Sequence, residues 1–230
     1  MSYVLGYVTA DGCITVSKNR RKHPFSLNIT SAEKKHLYRI RKALESEHKV
    51  GRKPTGKSNT FAYQLLIRNP VITRDLMNLG ILPRNTYNLN PIKVPKKYFP
   101  DFVRGFFDGD GTVYIYTVNG TPQIKAGFVS SSLSFITRFN QQLCEGLNIS
   151  TKSIHQTVDK RRNRITQYTI CFYINDCEKL SDFMYGNNSS LFLPRKHRIF
   201  KKWKLMKRRH YVKQNYPSKI GWRLNEKAIA

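Results

Sequence analysis

The 230-residue chain carries 41 Lys and Arg against 14 Asp and Glu, a formal charge of +27, yet 40% of its residues are hydrophobic and 12% aromatic. That apolar content excludes a disordered basic tail, and a charge of this size opposes compaction unless a polyanion screens it. No apolar run approaches the roughly 20 residues of a membrane-spanning helix and no secretory leader opens the chain, so an intracellular protein without membrane attachment is expected.

In chain order, residues 3–11 read as an apolar helix relieved only by small residues and ending in Asp11-Gly12. Residues 13–18 and 25–30 are extended around a basic turn from Lys18 to Pro24, and residues 31–46 return to helical spacing. Residues 47–53 and 61–67 form a second strand pair, followed by a helix over 70–79. Pro91, Pro95 and Pro100 crowd the stretch from Asn88 to Pro100 too densely for a helix or central strand, which makes 88–100 a linker.

The order then begins again. Phe102-Val103-Arg104-Gly105-Phe106-Phe107-Asp108-Gly109-Asp110-Gly111 aligns with Tyr3-Val4-Leu5-Gly6-Tyr7-Val8-Thr9-Ala10-Asp11-Gly12 at a constant offset of 99. The same offset pairs Ser31 with Ser130, Leu37 with Ile136, Ile40 with Phe139, Leu44 with Leu143 and Val50 with Ile149. Asn119-Gly120 marks a hairpin turn between Thr112–Val118 and Gln123–Val129. Leu82-Pro83-Arg84-Asn85 matches Leu193-Pro194-Arg195-Lys196 at an offset of 111, so the second copy is about twelve residues longer, with insertions expected around Lys160 to Arg164 and Tyr185 to Ser190. The fold class is therefore α+β: two αββαββα repeats, residues 1–87 and 101–230, related by a pseudo-twofold axis. The second carries a basic C-terminal extension. Helices cover one face of each antiparallel sheet and leave the other free.

Gly6 and Ala10, like Gly105 and Gly109, stand four apart, so each first helix has a stripe without bulk along which two backbones can approach closely. The repeats should pair through these helices. Asp11 and Asp110 then fall at helix C-termini, where the dipole disfavours a carboxylate by roughly 0.3–1 kcal/mol and each acid repels the other. A divalent cation removes both penalties, and oxygen ligands suit Mg²⁺. Cys13, Cys144, Cys171 and Cys177 form no C-x-x-C pair and read as reduced core residues, while the six scattered histidines show no ligand spacing.

Both motif segments resemble the LAGLIDADG motif, and over nearly its whole length the chain resembles a single-chain, two-motif LAGLIDADG homing endonuclease. The resemblance implies sheets that form a DNA-binding saddle and a monomer acting on a long, non-palindromic duplex site. It implies metal-dependent phosphodiester hydrolysis with Mg²⁺, for which Mn²⁺ substitutes. Asp11 and Asp110 become the metal-binding catalytic acids, with the neighbouring Ala10 and Gly109 as further metal ligands. Asp108 has no acidic counterpart, since Thr9 occupies that place, and is assigned a structural role at the helix end. Glu33 and Ser132 occupy the positions that order water near the metals, and Lys196 is the candidate basic residue near the scissile phosphates.

Basic clusters on strand turns would track the phosphate backbones: Lys18, Arg20, Arg21 and Lys22; Arg52, Lys53 and Lys57; Lys160, Arg161, Arg162 and Arg164; with Arg84 and Arg195 near the motif ends. Alternation along the strands nominates Thr15, Ser17, Ser26, Asn28, Tyr114, Tyr116, Gln123, Lys125, Gln156 and Gln167 as facing the groove. The run from Arg195 to Arg209, with Phe200 and Trp203 at helical spacing, reads as a packed helix with one polar side. Two other functions stay open on the same scaffold: a maturase that binds intron RNA, and a DNA-binding protein that does not cut.

Overall fold

The computed structural model describes residues 1–16, 24–55, 60–84, 87–159, 164–186 and 190–215, with the side chains of 159–166 and 209–215 excepted. Helix α1 (Ser2–Asp11) opens the chain, followed by β1 (Gly12–Val16), β2 (Phe25–Ser31), α2 (Lys34–Ala43), β3 (Val50–Pro54), β4 (Phe61–Ile67) and α3 (Pro70–Asn78). A 3₁₀ turn at Lys96–Tyr98 leads into α4 (Phe99–Asp110), and the second half continues through β5 (Thr112–Val118), β6 (Thr121–Ser130), α5 (Leu133–Leu147), β7 (His155–Asp159), β8 (Arg164–Tyr173), α6 (Ile174–Tyr185) and α7 (Pro194–Asn215). The two sheets have the same antiparallel order, β1-β2-β4-β3 and β5-β6-β8-β7. The duplication in the sequence is thus a duplication of topology.

Local chemistry sets the element ends. The helix expected over 31–46 is shorter because β2 keeps Ser31, whose hydroxyl accepts the Glu33 N–H, so the chain turns helical only at Lys34. Asn69 caps α3 by accepting from the amides of Val71 and Ile72, with Pro70 in the first turn where a missing N–H costs nothing. Asn119 and Gly120 both adopt positive φ, 48° and 78°, as a two-residue hairpin with right-handed strand twist demands.

Each sheet buries one face. Ile14, Leu27, Ile29, Leu65 and Ile67 point into the first half's core, and Ile124, Ala126, Phe128, Ile170 and Phe172 into the second's. Phe106 and Phe128 stack with centroids 5.8 Å apart, and Phe135 and Phe139 close an aromatic cluster around them. Helix α7 packs onto β5, β6 and α6 with Phe200 and Trp203 fully buried, as their spacing predicted. Of the four cysteines, all free, Cys144 and Cys177 are core residues. Cys13 is exposed and Cys171 half-buried, because strand alternation turns both away from the helices, contrary to the expectation of four core thiols.

Candidate functional site

The motif helices α1 and α4 run side by side in parallel. A Cβ on Gly6 would lie 2.0 Å from the Phe102 carbonyl oxygen, and one on Gly105 would lie 2.0 Å from that of Tyr3. Farther along, a Cβ on Gly109 would come 2.3 Å from the Ala10 Cβ and 3.5 Å from the Asp11 carboxylate. Glycine is required at the first two because backbone packs on backbone there. Both helices consequently end together, and Asp11 and Asp110 emerge side by side.

Their electrostatics follow from that meeting. Burial and the nearby Asp11 push Asp110 up to about 6, against the pull of the Lys196 ammonium. Asp11 is also raised, by partial loss of hydration among the packed helix ends although its tip is exposed, while the Tyr7 hydroxyl, Lys196 and Arg195 hold the shift down. Tyr7 is itself raised, chiefly by burial and then by Asp11. The two carboxylates with the adjacent carbonyl positions of Ala10 and Gly109 form an all-oxygen donor set that fits a hard divalent cation, whose charge would relieve the repulsion. Among the described residues no cluster of three or more His, Cys, Asp or Glu exists.

Asp108 lies beside this pair but faces the protein. It accepts from the Tyr3 hydroxyl at 2.6 Å and from the Leu193 amide at 2.7 Å, and Tyr3 also meets His36 Nε2 at 3.0 Å. Desolvation raises Asp108 to about 6 and lowers His36 to about 4. The residue joins the two halves.

Lys196 is buried, and its ammonium donates to the carbonyls of Phe107, Asp108, Gly109 and Gly111 at 2.6, 2.8, 3.3 and 2.6 Å. Burial lowers it to about 8. Lys196 thereby locks the negative end of α4, because α7 starts directly beneath that end, and it stays within electrostatic reach of Asp11 and Asp110. Ser132, expected to order water, instead caps α5: it accepts the Phe135 amide and donates to the Leu89 carbonyl. Glu33, the other water-ordering candidate, accepts from Arg195 Nε at 2.6 Å across the two halves.

Strand pairing sorts the nominated groove residues. Thr15 pairs with Ser26 and lies on the same free face as Asn28, beside Cys13. Tyr114 pairs with Lys125 and Tyr116 with Gln123 on the corresponding face of the second sheet, where Gln167 also lies. Gln156 and Arg52 do not face it. Gln156 pairs with Tyr168 and Arg52 with Tyr63, both packed against the core, and the Arg52 guanidinium sits 4.0 Å from the Phe61 ring centroid. One-residue register decides this: Lys53, His155 and Thr157 take the free-face positions, as do Gln64, Thr169 and Tyr173, which alternation within single strands did not single out. Ser17, Lys18, Arg20, Arg21, Lys22, Lys57, Lys160, Arg161, Arg162 and the side chain of Arg164 lie outside the described residues. Arg84 is exposed at the rim of a cavity of about 310 Å³ that Asp110 and Gln167 also line.

Residues 1–75 match the family described as LAGLIDADG-like domain. No curated protein matches the chain. Among solved structures, the homing endonuclease I-GzeII in complex with its DNA target is similar over 94% of this chain and 93% of its own, with a TM-score of 0.60 and 12% identity. I-DmoI in complex with DNA and Ca gives 0.57 at 15% identity over 87% and 96%. I-WcaI bound to its DNA recognition sequence gives 0.57 at 10% identity over 86% and 84%. At such identities it is the fold that is shared.

Proposed function

Because residues 1–75 form a LAGLIDADG-like domain and the whole chain has the two-motif LAGLIDADG fold, we propose that this protein is a site-specific, divalent-metal-dependent endonuclease of double-stranded DNA. The convergence of Asp11 and Asp110 at the paired ends of α1 and α4 carries this reading. The solved relatives in complex with DNA, and a charge of +27 on a protein with two free sheet faces, support duplex DNA as the partner. The pairing of unequal repeats within one chain supports action as a monomer on a non-palindromic site.

Asp11 and Asp110, with the carbonyls of Ala10 and Gly109, would hold Mg²⁺, or Mn²⁺ in its place. Bound there, the ions supply Lewis acidity and a water of lowered pKa for attack on a phosphodiester. The chain's own part is positional. Lys196 fixes the end of α4 and so the direction of Asp110, while the Glu33–Arg195 pair spans the two halves at their rim. The free-face residues Thr15, Asn28, Tyr114, Tyr116, Gln123, Lys125 and Gln167 present donors, acceptors and rings to the groove, whereas Ser26 on the same face is buried, and phosphate contacts fall to Lys53, Arg84 and the basic turns.

The test is incubation with a supercoiled plasmid library carrying randomised inserts, with Mg²⁺ or with EDTA. Linear product that requires the metal and disappears with Asp110→Asn supports the proposal. Sequence-specific binding without nicking in any divalent metal would make the protein a non-cutting DNA binder, and binding of intron RNA in preference to duplex DNA would make it a maturase. No helix among the described residues is long and apolar enough to cross a membrane.

A further inference from the structure

The two motif helices bring equivalent backbones to the paired acids but not equivalent side chains. Tyr7 stands one helical turn before Asp11, and its hydroxyl donates to the Asp11 carboxylate while accepting from the Ser31 hydroxyl. Ser31 closes β2, and its oxygen accepts the Glu33 amide at 3.2 Å, which leaves its own proton for Tyr7. The Tyr7 ring is buried, with the ring centroids of His36 and Tyr3 at 5.0 and 6.4 Å. A chain of hydrogen bonds thus runs from the start of α2 through Ser31 and Tyr7 to Asp11.

The second repeat builds the same turn and then stops. Ser130 closes β6, and its oxygen accepts the Ser132 amide at 3.1 Å, as Ser31 does for Glu33. At the offset of 99, however, Phe106 takes the place of Tyr7 and stacks on Phe128 with centroids 5.8 Å apart. Phe106 shows that the position needs only a ring for packing, so the phenol oxygen of Tyr7 answers to something other than the core. Among the described residues no hydroxyl donates to Asp110, which feels burial, Asp11 and the Lys196 ammonium instead. One acid is held by a hydrogen bond and the other is not.

We propose that Tyr7 is a positioning residue: its hydroxyl, aimed by Ser31, fixes the Asp11 carboxylate for a divalent cation, so that the two acids serve the two strands of a duplex unequally. The inference rests on the endonuclease reading and adds an inequality between its two cuts. Carboxylates that bind metals are themselves hydrogen-bonded, and loss of such a partner costs about 10–100-fold in metal affinity or activity. A carboxylate without one has to be ordered by the cation, which weakens binding on that side.

The full chain and its Tyr7→Phe variant are titrated with Mn²⁺ without DNA, followed by electron paramagnetic resonance, and then given Mg²⁺ and a plasmid that the native chain cuts, with the nicks mapped to each strand. Tyr7→Phe keeps the ring, and it should bind Mn²⁺ about tenfold more weakly and slow the cutting of one strand about tenfold while the other changes little. Tyr3→Phe is the control, because it removes a phenol from the same helix whose partner is Asp108, and it should leave the Mn²⁺ affinity and the ratio of the two strand rates unchanged. Absence of Mn²⁺ binding by the native chain, native affinity in Tyr7→Phe, equal slowing of both strands, or the same losses in Tyr3→Phe would overturn the proposal. If the native chain binds Mn²⁺ but cuts no plasmid, the endonuclease reading fails and the Mn²⁺ comparison decides on Tyr7 by itself: weaker binding in Tyr7→Phe alone upholds it as the residue that aims Asp11, and unchanged binding refutes it.

Discussion

The phenol of Tyr3 and the carboxylate of Asp108, 105 residues apart, meet across 2.6 Å where the two halves join. Tyr3 stands in the first turn of one motif helix and Asp108 in the last turn of the other, so a single hydrogen bond ties the start of α1 to the end of α4. The Leu193 amide supplies the second bond to the same carboxylate oxygen, and Asp108 Oδ1 has no hydrogen-bond partner among the described residues. Tyr3→Phe removes one of two bonds to a buried carboxylate and is expected to cost about 1–3 kcal/mol in urea unfolding. A variant as stable as the native chain would show that the bond contributes nothing net.

Asp110→Asn should separate function from stability. Asp110 titrates at about 6 in the folded chain against 3.8 in the unfolded one. A raised carboxylate contributes stability that is full below about pH 4 and is lost as the pH rises through about 6. Without divalent metal, the asparagine variant is therefore expected to be more stable than the native chain at pH 8, by about 1–2 kcal/mol after allowance for partial exposure, and the gap should close towards pH 4. Cleavage should be absent throughout. A variant less stable than native at pH 8 would contradict the cost ascribed to burying the Asp110 charge beside Asp11.

His36 runs in the opposite direction. Its folded value of about 4 lies below the 6.5 of the free side chain, so its contribution is present above pH 6.5 and is lost as the pH falls through about 4. Replacement by Gln keeps a polar group near Tyr3 but removes the titration, and stability curves from pH 7 to pH 4 should then fall less steeply than those of the native chain. Parallel curves would remove His36 from the account.

Gly6→Ala places a Cβ against the Phe102 carbonyl, where neither backbone can give way, and should destabilise by about 3 kcal/mol or prevent folding. Gly51→Ala is the matched control, since nothing lies within 4 Å of its added carbon, and it should change stability by less than about 0.5 kcal/mol. Comparable effects at the two sites would show that the helix crossing is looser than described.

Lys125 lies on the free face opposite Tyr114 and 5.5 Å from the Tyr173 ring centroid. As a groove-facing residue, Lys125→Ala should relax discrimination at one base position, by about 1–3 kcal/mol, while binding to other duplexes changes little. A uniform loss on all duplexes, with the salt slope of log Kd reduced by about 1, would make it a phosphate contact instead.

The sequence shows the larger architecture plainly because duplication leaves a signature that needs no three-dimensional information. A constant offset between Gly6 and Gly105 and between Asp11 and Asp110 predicts the paired helices, and both glycines proved to be backbone contacts. What a single strand cannot reveal is the pairing register. Gln156 was nominated from alternation, but β7 pairs with β8 through an irregularity between Thr157 and Val158, and Gln156 lies opposite Tyr168 on the helix side. For Lys196 the sequence singles out the residue but not its contacts, since no residue pattern announces the four backbone carbonyls that hold its ammonium.

The Tyr3–Asp108 bond also depends on the two repeats being unlike. By the same offset Tyr3 corresponds to Phe102 and Asp108 to Thr9, so two first repeats brought together would offer each phenol a threonine in place of an acid. Two second repeats would leave each buried acid facing a phenylalanine. Either symmetric pairing would lack this bond, and only the mixed arrangement found within the chain sets donor against acceptor.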